Sequence, residues 1–196
     1  KPAEKPDEEE LKERLKAAEK KLEVYQLQMK EHRLPVLVLV EGWGAAGKGS
    51  LIGKVIRSID PRFFRVAAMA DPGEEERRRP FLYRYMVRIP QEGKFEFLDS
   101  GWLAETGRDR FYGRLNEREY GRRVESIRRF ERQLVDNGYL VLKLFLHISR
   151  KEQKKRLDRL IEDKDARGRV RPWDRDQNEH YEACEELFDR CLTVTA

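Results

Sequence analysis

The sequence predicts an α/β fold in which a parallel sheet lies between two layers of helices, with a helical arm in front of it. Three observations carry this. Leu34 to Val40 is a Val-rich apolar run broken only by Pro35, as expected of a strand buried on both faces. Strand-like and capped helix-like segments then alternate along the chain. Between the first strand and the helix after it lies a glycine-rich turn at 42–49.

Residues 7–33 read as one long helix. Asp7 and Glu10 have capping-box spacing, and Leu11, Leu15, Ala18, Leu22, Tyr25 and Met29 recur at alternating four and three. This pattern fits either a short coiled coil or a helix packed on its own domain. The helix after the glycine-rich turn should end before Pro61, and Arg65 to Met69 reads as a second strand. Glu74 to Arg88 is mostly helical, with a kink or restart forced at Pro80. Phe95 to Leu98 is a third strand. Asn116 and Glu119 cap a helix that runs to Asn137 and stops at Gly138. Tyr139 to Ile148 is a fourth strand, and Ser149 with Glu152 caps a helix to about Glu162. A Gly-Arg-Pro segment breaks the pattern from Asp163 to Asp174. Asp176 with Glu179 is expected to cap a last helix, and Leu192 to Thr195 to form an edge strand. The expected division is an arm over 1–33 and a domain over 34–196, with a lid around 163–176.

Composition narrows the function classes. With 39% apolar residues, nine Phe, seven Tyr and three Trp, the chain has the material for a core and is not a wholly disordered segment. No apolar window is long enough for a membrane span. The start, from Lys1, is charged and carries no signal-peptide pattern, and the chain reads as a trimmed segment. Cys184 and Cys191, seven apart on an expected helix, cannot form a disulfide framework, which fits a cytoplasmic setting. The 42 Lys and Arg against 37 Asp and Glu leave a net charge of only +5, so distribution matters more than balance. Arginines cluster at 77–79, between 122 and 132, and at Arg167, Arg169, Arg171 and Arg175. The first two clusters read as solvated helix faces paired with neighbouring Glu.

Three segments carry chemistry. Glu41-Gly42-Trp43-Gly44-Ala45-Ala46-Gly47-Lys48-Gly49-Ser50 has the spacing of a phosphate-binding loop, follows a buried strand and opens a helix. Gly42, Ala45, Ala46, Gly47, Gly49 and Ser50 would bring backbone N–H groups and a hydroxyl to phosphate, and Lys48 would reach the outer phosphates. Gly49 takes the place usually held by Ser or Thr. Asp99, at the end of the third strand, can face that lysine and hold magnesium directly or through water. Arg167, Arg169 and Arg171 lie in an irregular segment between two helices, where a closing lid would deliver guanidinium groups to phosphate. Trp43, Trp102 and Trp173 all fall in or beside these segments, which fits either a shared pocket or packing of each in the core or at its rim. His147 reads as a packed, satisfied residue, and no triad or metal-ligand spacing is present.

From about Leu34 to Phe188 the sequence resembles the second family of polyphosphate kinases, P-loop enzymes similar in fold to thymidylate kinase. Beyond the loop, the resemblance rests on Pro61-Arg62; on Pro72, Glu76, Arg77, Arg84 and Tyr85; on Ile89-Pro90 with Gly93; on Phe130 to Leu134 and Lys143; on Ser149-Arg150 with Glu152-Gln153; and on Asp174. It implies phosphoryl transfer between inorganic polyphosphate and a nucleoside mono- or diphosphate, with magnesium as cofactor. The catalytic residues would be Lys48, Asp99 and Arg171, with Asp99 on the metal; Arg84 would join Arg167 and Arg169 on phosphate. The departures fall on the chemistry. The family's loop reads Glu-Gly-x-Asp-x-x-Gly-Lys, and here the Asp position is Gly44. Its third strand runs into Asp-Arg-Ser-Trp-Tyr, and here the run is Asp99-Ser100-Gly101-Trp102-Leu103. Gly-Trp in the loop and Arg79-Pro80-Phe81-Leu82 resemble the degenerate N-terminal copy of two-domain polyphosphate:AMP phosphotransferases. The expectation is therefore a weakly active or inactive domain that supports a catalytic partner domain in the same protein, within an oligomer. It would touch polyphosphate and adenine nucleotide but no membrane and no specific nucleic acid. A fully active polyphosphate:nucleotide kinase and a polyanion-binding module without kinase chemistry are the alternatives.

Overall fold

A computed structural model describes residues 7–195, so the first six residues of the expected arm and the last residue of the domain lie outside the described residues. Four parallel strands form the sheet: β1 (Val36–Gly42), β2 (Phe64–Ala68), β3 (Phe95–Asp99) and β4 (Leu140–Leu146), in the order β2-β3-β1-β4. β1 is the hub. Val40 is in register with Asp99 of β3 and Leu144 of β4, so the ends of three strands converge where the glycine-rich loop begins.

The pleat sorts β1 into two cores. Val36, Val38 and Val40 face one side, with Phe95, Phe97 and Ile52 from α2 (Lys48–Val55). Leu37 and Leu39 face the other, against α5 (Trp102–Phe111), α6 (Glu117–Asp136) and α9 (Tyr181–Thr195). Every residue of β1 is buried, which is why it reads as an unbroken apolar run rather than an alternation. β4 behaves differently. It is an edge strand, and Leu140, Leu142 and Leu144 remain 42%, 40% and 43% exposed on one face.

The Asn116–Glu119 capping box starts α6 as expected, each side chain accepting from the other's backbone N–H at 2.9 and 2.8 Å. Ser149 caps α7 (Arg150–Glu162) by accepting from the Glu152 N–H at 3.3 Å. Three expectations are corrected. Leu192 to Thr195 is the last turn of α9, not an edge strand, because Cys191 and Thr195 continue its buried stripe. Asp176 and Glu179 lie inside α8 (Pro172–Glu179) and cap nothing; Pro172 at the first helical position starts that helix early. At α1 (Glu8–Glu31), Asp7 accepts from the Glu9 N–H at 3.2 Å. Glu10 makes no reciprocal bond to it. Pro80 separates two one-turn helices, α3 (Glu74–Arg77) and α4 (Tyr83–Met86). Much of α1 is solvated: Leu11, Leu15 and Tyr25 are 44%, 50% and 57% exposed. Its second half packs one face on the domain, through Leu22 and Met29.

The Arg clusters at 77–79 and 122–132 are mostly solvated pairs, such as Arg79 with Glu75 at 3.1 Å and Arg129 with Glu125 at 2.8 Å. Glu131 and Lys143 are different, a largely buried pair at 2.8 Å. Glu131 also accepts from the Trp102 indole N–H at 2.9 Å. Breaking a buried pair leaves a charge without compensation. Lys143→Met should therefore cost about 3 kcal/mol in urea unfolding, while Arg128→Ala, on an exposed and solvent-screened pair, should leave the urea midpoint nearly unchanged. Equal losses would show that the Glu131–Lys143 pair does not hold Trp102 in the core.

Candidate active site

The loop between β1 and α2 is built by close approach. A Cβ on Gly42 would stand 2.3 Å from the Leu146 carbonyl oxygen, so only glycine lets β4 run alongside. Gly47, at φ +98°, turns the chain into α2, and Ala45 is held at φ +58°. Trp43 anchors the loop from behind, stacked on Tyr181 of α9 at 4.0 Å and edge-on to Phe188. Ala46 is buried with it. The Lys48 ammonium folds over the loop and donates to the carbonyls of Gly42 and Trp43 at 3.1 and 2.9 Å. Burial pushes its pKa down, opposed by the charges of Asp99, Asp174 and Glu41.

A cleft of about 910 Å³ opens in front of this loop. Gly42, Ala45, Gly47, Lys48, Gly49 and Ser50 line one wall, and Asp99 stands beside Gly49. Arg169 and Arg171, from the segment between α7 and α8, also line the cleft. The structure thus brings together most of the residues expected from the sequence. It does not bring Arg167 or Arg84 to the cleft wall. Arg167 sits in the exposed 3-10 turn Arg167–Arg169. Arg84 is buried and donates to the Ala70 carbonyl at 2.6 Å and to Glu105 at 3.2 Å, so its guanidinium is taken up inside the fold. Of the two readings of the tryptophans, core packing holds: Trp43 and Trp102 are fully buried in separate cores, and Trp173 lines the cleft. His147 is hydrogen-bonded, 3.0 Å from Glu185, but half exposed rather than packed.

Several cleft residues escaped the sequence reading. Lys155, Arg156 and Arg159 of α7 extend the basic wall. Their spacing puts them on one helix face, a signal that was available but looked like any solvated face. Arg156 donates to the Ala46 carbonyl at 3.2 Å. Tyr85, Glu105 and Arg108 also line the cleft, and Tyr85 donates to Glu105 at 2.6 Å. Arg108 is buried against Asp71. Two glutamines, Gln153 and Gln177, are fully buried; Gln177 accepts from the Gly44 N–H at 2.8 Å. Nothing in a single sequence marks such residues.

Ser100, next to Asp99, is held at φ +64°, in the left-handed region that side chains rarely adopt. Gly101 leaves room for the Glu41 carboxylate, which would lie 2.7 Å from an added Cβ. That carboxylate accepts from the N–H groups of Leu103 and Ala104 at 3.1 and 3.3 Å and so caps α5 from the end of β1.

The donor set fits magnesium. No group of three or more His, Cys, Asp or Glu gathers among the described residues, which argues against a cage of the zinc type. Magnesium commonly takes one or two carboxylates and draws its other ligands from water and substrate phosphate, and Asp99 beside the loop suits that.

Burial pushes the carboxyls of Glu41 and Glu105 up from their ordinary value of 4.5, and for Glu105 the Tyr85 hydroxyl and Arg84 oppose it. Groups that bind protons more tightly when folded add stability that is full below about pH 4.5 and is lost as pH rises through their raised values. Glu105→Gln cannot ionise. As pH rises above 4.5 its unfolding free energy in urea should fall less than that of the native chain. Parallel curves would contradict the assignment.

A family model for "Polyphosphate kinase 2 (PPK2)" matches residues 5–196. The polyphosphate:AMP phosphotransferase of Pseudomonas aeruginosa is 31% identical over 172 residues, 87% of this chain and 35% of that protein. ADP-polyphosphate phosphotransferase 3 of Rhizobium meliloti is 29% identical over 160 residues, 82% of this chain and 56% of that protein. The crystal structure of polyphosphate kinase 2 from Arthrobacter aurescens TC1 superposes with a TM-score of 0.91 at 24% identity, over 100% of this chain and 71% of the other. A putative polyphosphate kinase 2 from Pseudomonas aeruginosa PA01 gives 0.88 at 27% identity, over 98% and 41%. The chain thus spans between about a third and just over half of the two curated relatives. With the family model covering nearly the whole chain and the loop, sheet and cleft arranged around it, the chain belongs to the polyphosphate kinase 2 family.

Proposed function

We propose that this chain is a polyphosphate-dependent phosphotransferase domain whose site binds phosphate but turns over weakly or not at all by itself, and that it supports a catalytic partner domain. One observation carries the reading. The loop with Lys48, the carboxylate of Asp99 and the lid arginines Arg169 and Arg171 all face one cleft. Gly44 and Ser100 stand in that cleft where the resemblance calls for a carboxylate and an arginine.

In this reading the loop N–H groups and Lys48 hold the phosphates of the polymer, and Arg169 and Arg171 close over them from the lid. Asp99 would hold magnesium, which neutralises charge developing on the transferring group. Tyr85, Glu105 and Arg108 line the same cleft and would receive the nucleotide. AMP or ADP is the expected acceptor, by analogy with the relatives' names. Loss of one electrostatic donor costs about 3 kcal/mol of transition-state stabilisation, which is about a hundredfold in rate. The exposed leucines of β4 and the solvated stripe of α1 offer the partner domain apolar surface.

A second reading, a fully active kinase, is favoured by the intact Lys48 and Asp99. Nucleotide formation from polyphosphate, magnesium and AMP or ADP separates the two. The isolated chain should run at least about a hundredfold below a complete family member. Turnover within about tenfold of that reference would overturn the weak-site reading.

A further inference from the structure

The lid helix α8 is docked on the phosphate loop, and the contact falls on Gly44. A Cβ on Gly44 would stand 2.4 Å from the Asp174 Oδ1 and 2.7 Å from its Cβ and Cγ. The carboxylate of Asp174 therefore fills the volume that any side chain at position 44 would need. Asp174 is held there from several sides. Its Oδ2 accepts from the Arg171 N–H at 2.9 Å, which fixes the start of α8. One helical turn on, Gln177 Oε1 accepts from the Gly44 N–H at 2.8 Å. Gln153 of α7 donates to the Gly44 carbonyl at 3.4 Å, and Asn178 donates to Gln153 at 3.1 Å. The N–H of Gly44 is thus taken up by α8 and its carbonyl by α7. Asp174 also lines the cleft, and its charge acts on Lys48.

We propose that Gly44 and Asp174 form a matched pair. The bare backbone of Gly44 is the seat into which the lid helix docks, and Asp174 is the positioning residue that brings a carboxylate to the loop from the lid. The phosphate site then holds a carboxylate beside Lys48 only while the lid is closed, and Gly44 is required by the closed lid. A side chain restored at position 44, Asp included, displaces α8 instead of repairing the loop. The functional meaning rests on the loop being a phosphate site, but the docking itself is read without any ligand. A failed docking test and a failed kinase reading are therefore distinguishable.

The test uses the whole chain, without phosphate or nucleotide. Tryptic cleavage after Arg167 or Arg169 reports lid opening, as does acrylamide quenching of Trp173, since Trp43 and Trp102 are fully buried. Gly44→Ala and Gly44→Asp are expected to raise lid cleavage about tenfold or more, as overpacking of a close contact does, with stronger Trp173 quenching. Gly49→Ala is the control in the same loop. Its Cβ would meet only Asp99 Oδ2 at an ordinary 3.5 Å, and lid cleavage should stay within about twofold of native. Asp174→Gly removes the docked side chain and should also loosen the lid. Combined with Gly44→Ala it should be cut no faster than Asp174→Gly alone, because coupled residues are not additive. Native cleavage and quenching in Gly44→Ala, or a double variant cut at the product of the single effects, overturns the proposal. Should Gly44→Ala fail to fold, rescue of folding by Asp174→Gly supports the matched pair, and absence of rescue overturns it.

Discussion

The loop proposed to bind phosphate leaves the C-terminal end of β1, and β1 is held there by backbone contact with β4 at Gly42. The Leu146 carbonyl comes so close to Gly42 that no side chain fits between them. From this contact the loop leaves the sheet in one direction only, over the Trp43 side chain clamped by Tyr181 and Phe188. Lys48 then lies back across the two carbonyls that begin the loop. β3 ends next to β1 in register, which delivers Asp99 to the same place. This is the crevice at the carboxyl ends of parallel strands where ligands of open α/β sheets bind.

Around that crevice the domain buries charge rather than avoiding it. Glu41 caps α5, Glu131 ties Trp102 to Lys143, and Glu105 joins Arg84 and Tyr85. Each carboxylate is pushed up by burial and relieved by hydrogen bonds or a cation. Such networks add little net stability but leave few alternative packings, because any rearrangement strands a charge. Several residues that carry the family resemblance are explained in this way. Glu131, Lys143 and Arg84 hold the frame, while the loop, Asp99, Arg169, Arg171 and Asp174 face the cleft.

What was legible in the sequence follows from the range of the forces involved. β1 was readable because burial on both faces leaves an unbroken apolar run, and α6 and α7 because their caps are local hydrogen bonds. The loop was readable because phosphate binding needs glycine and lysine at fixed short spacing. α5 was missed because its N-terminus is capped by Glu41, sixty-two residues earlier in the chain. The extent of α9 was misread because Leu192 to Thr195 has strand-like composition, while its burial follows helical spacing. Arg84 was placed on phosphate because a long-range partner, Glu105, leaves no local trace. The docking of α8 on Gly44 was invisible for the same reason, since 133 residues separate Gly44 from Gln177.

The central claim is that the cleft in front of Lys48 is a phosphate site. Titration calorimetry of the whole chain with a short polyphosphate, at one fixed salt concentration, tests it most directly. Saturable binding should weaken about tenfold or more in Lys48→Met, the loss expected for a charge-assisted hydrogen bond. A single-stranded oligonucleotide should bind more weakly than polyphosphate at the same salt. Equal polyphosphate affinity in the native chain and Lys48→Met would contradict the account and move the polyanion to a surface outside the cleft.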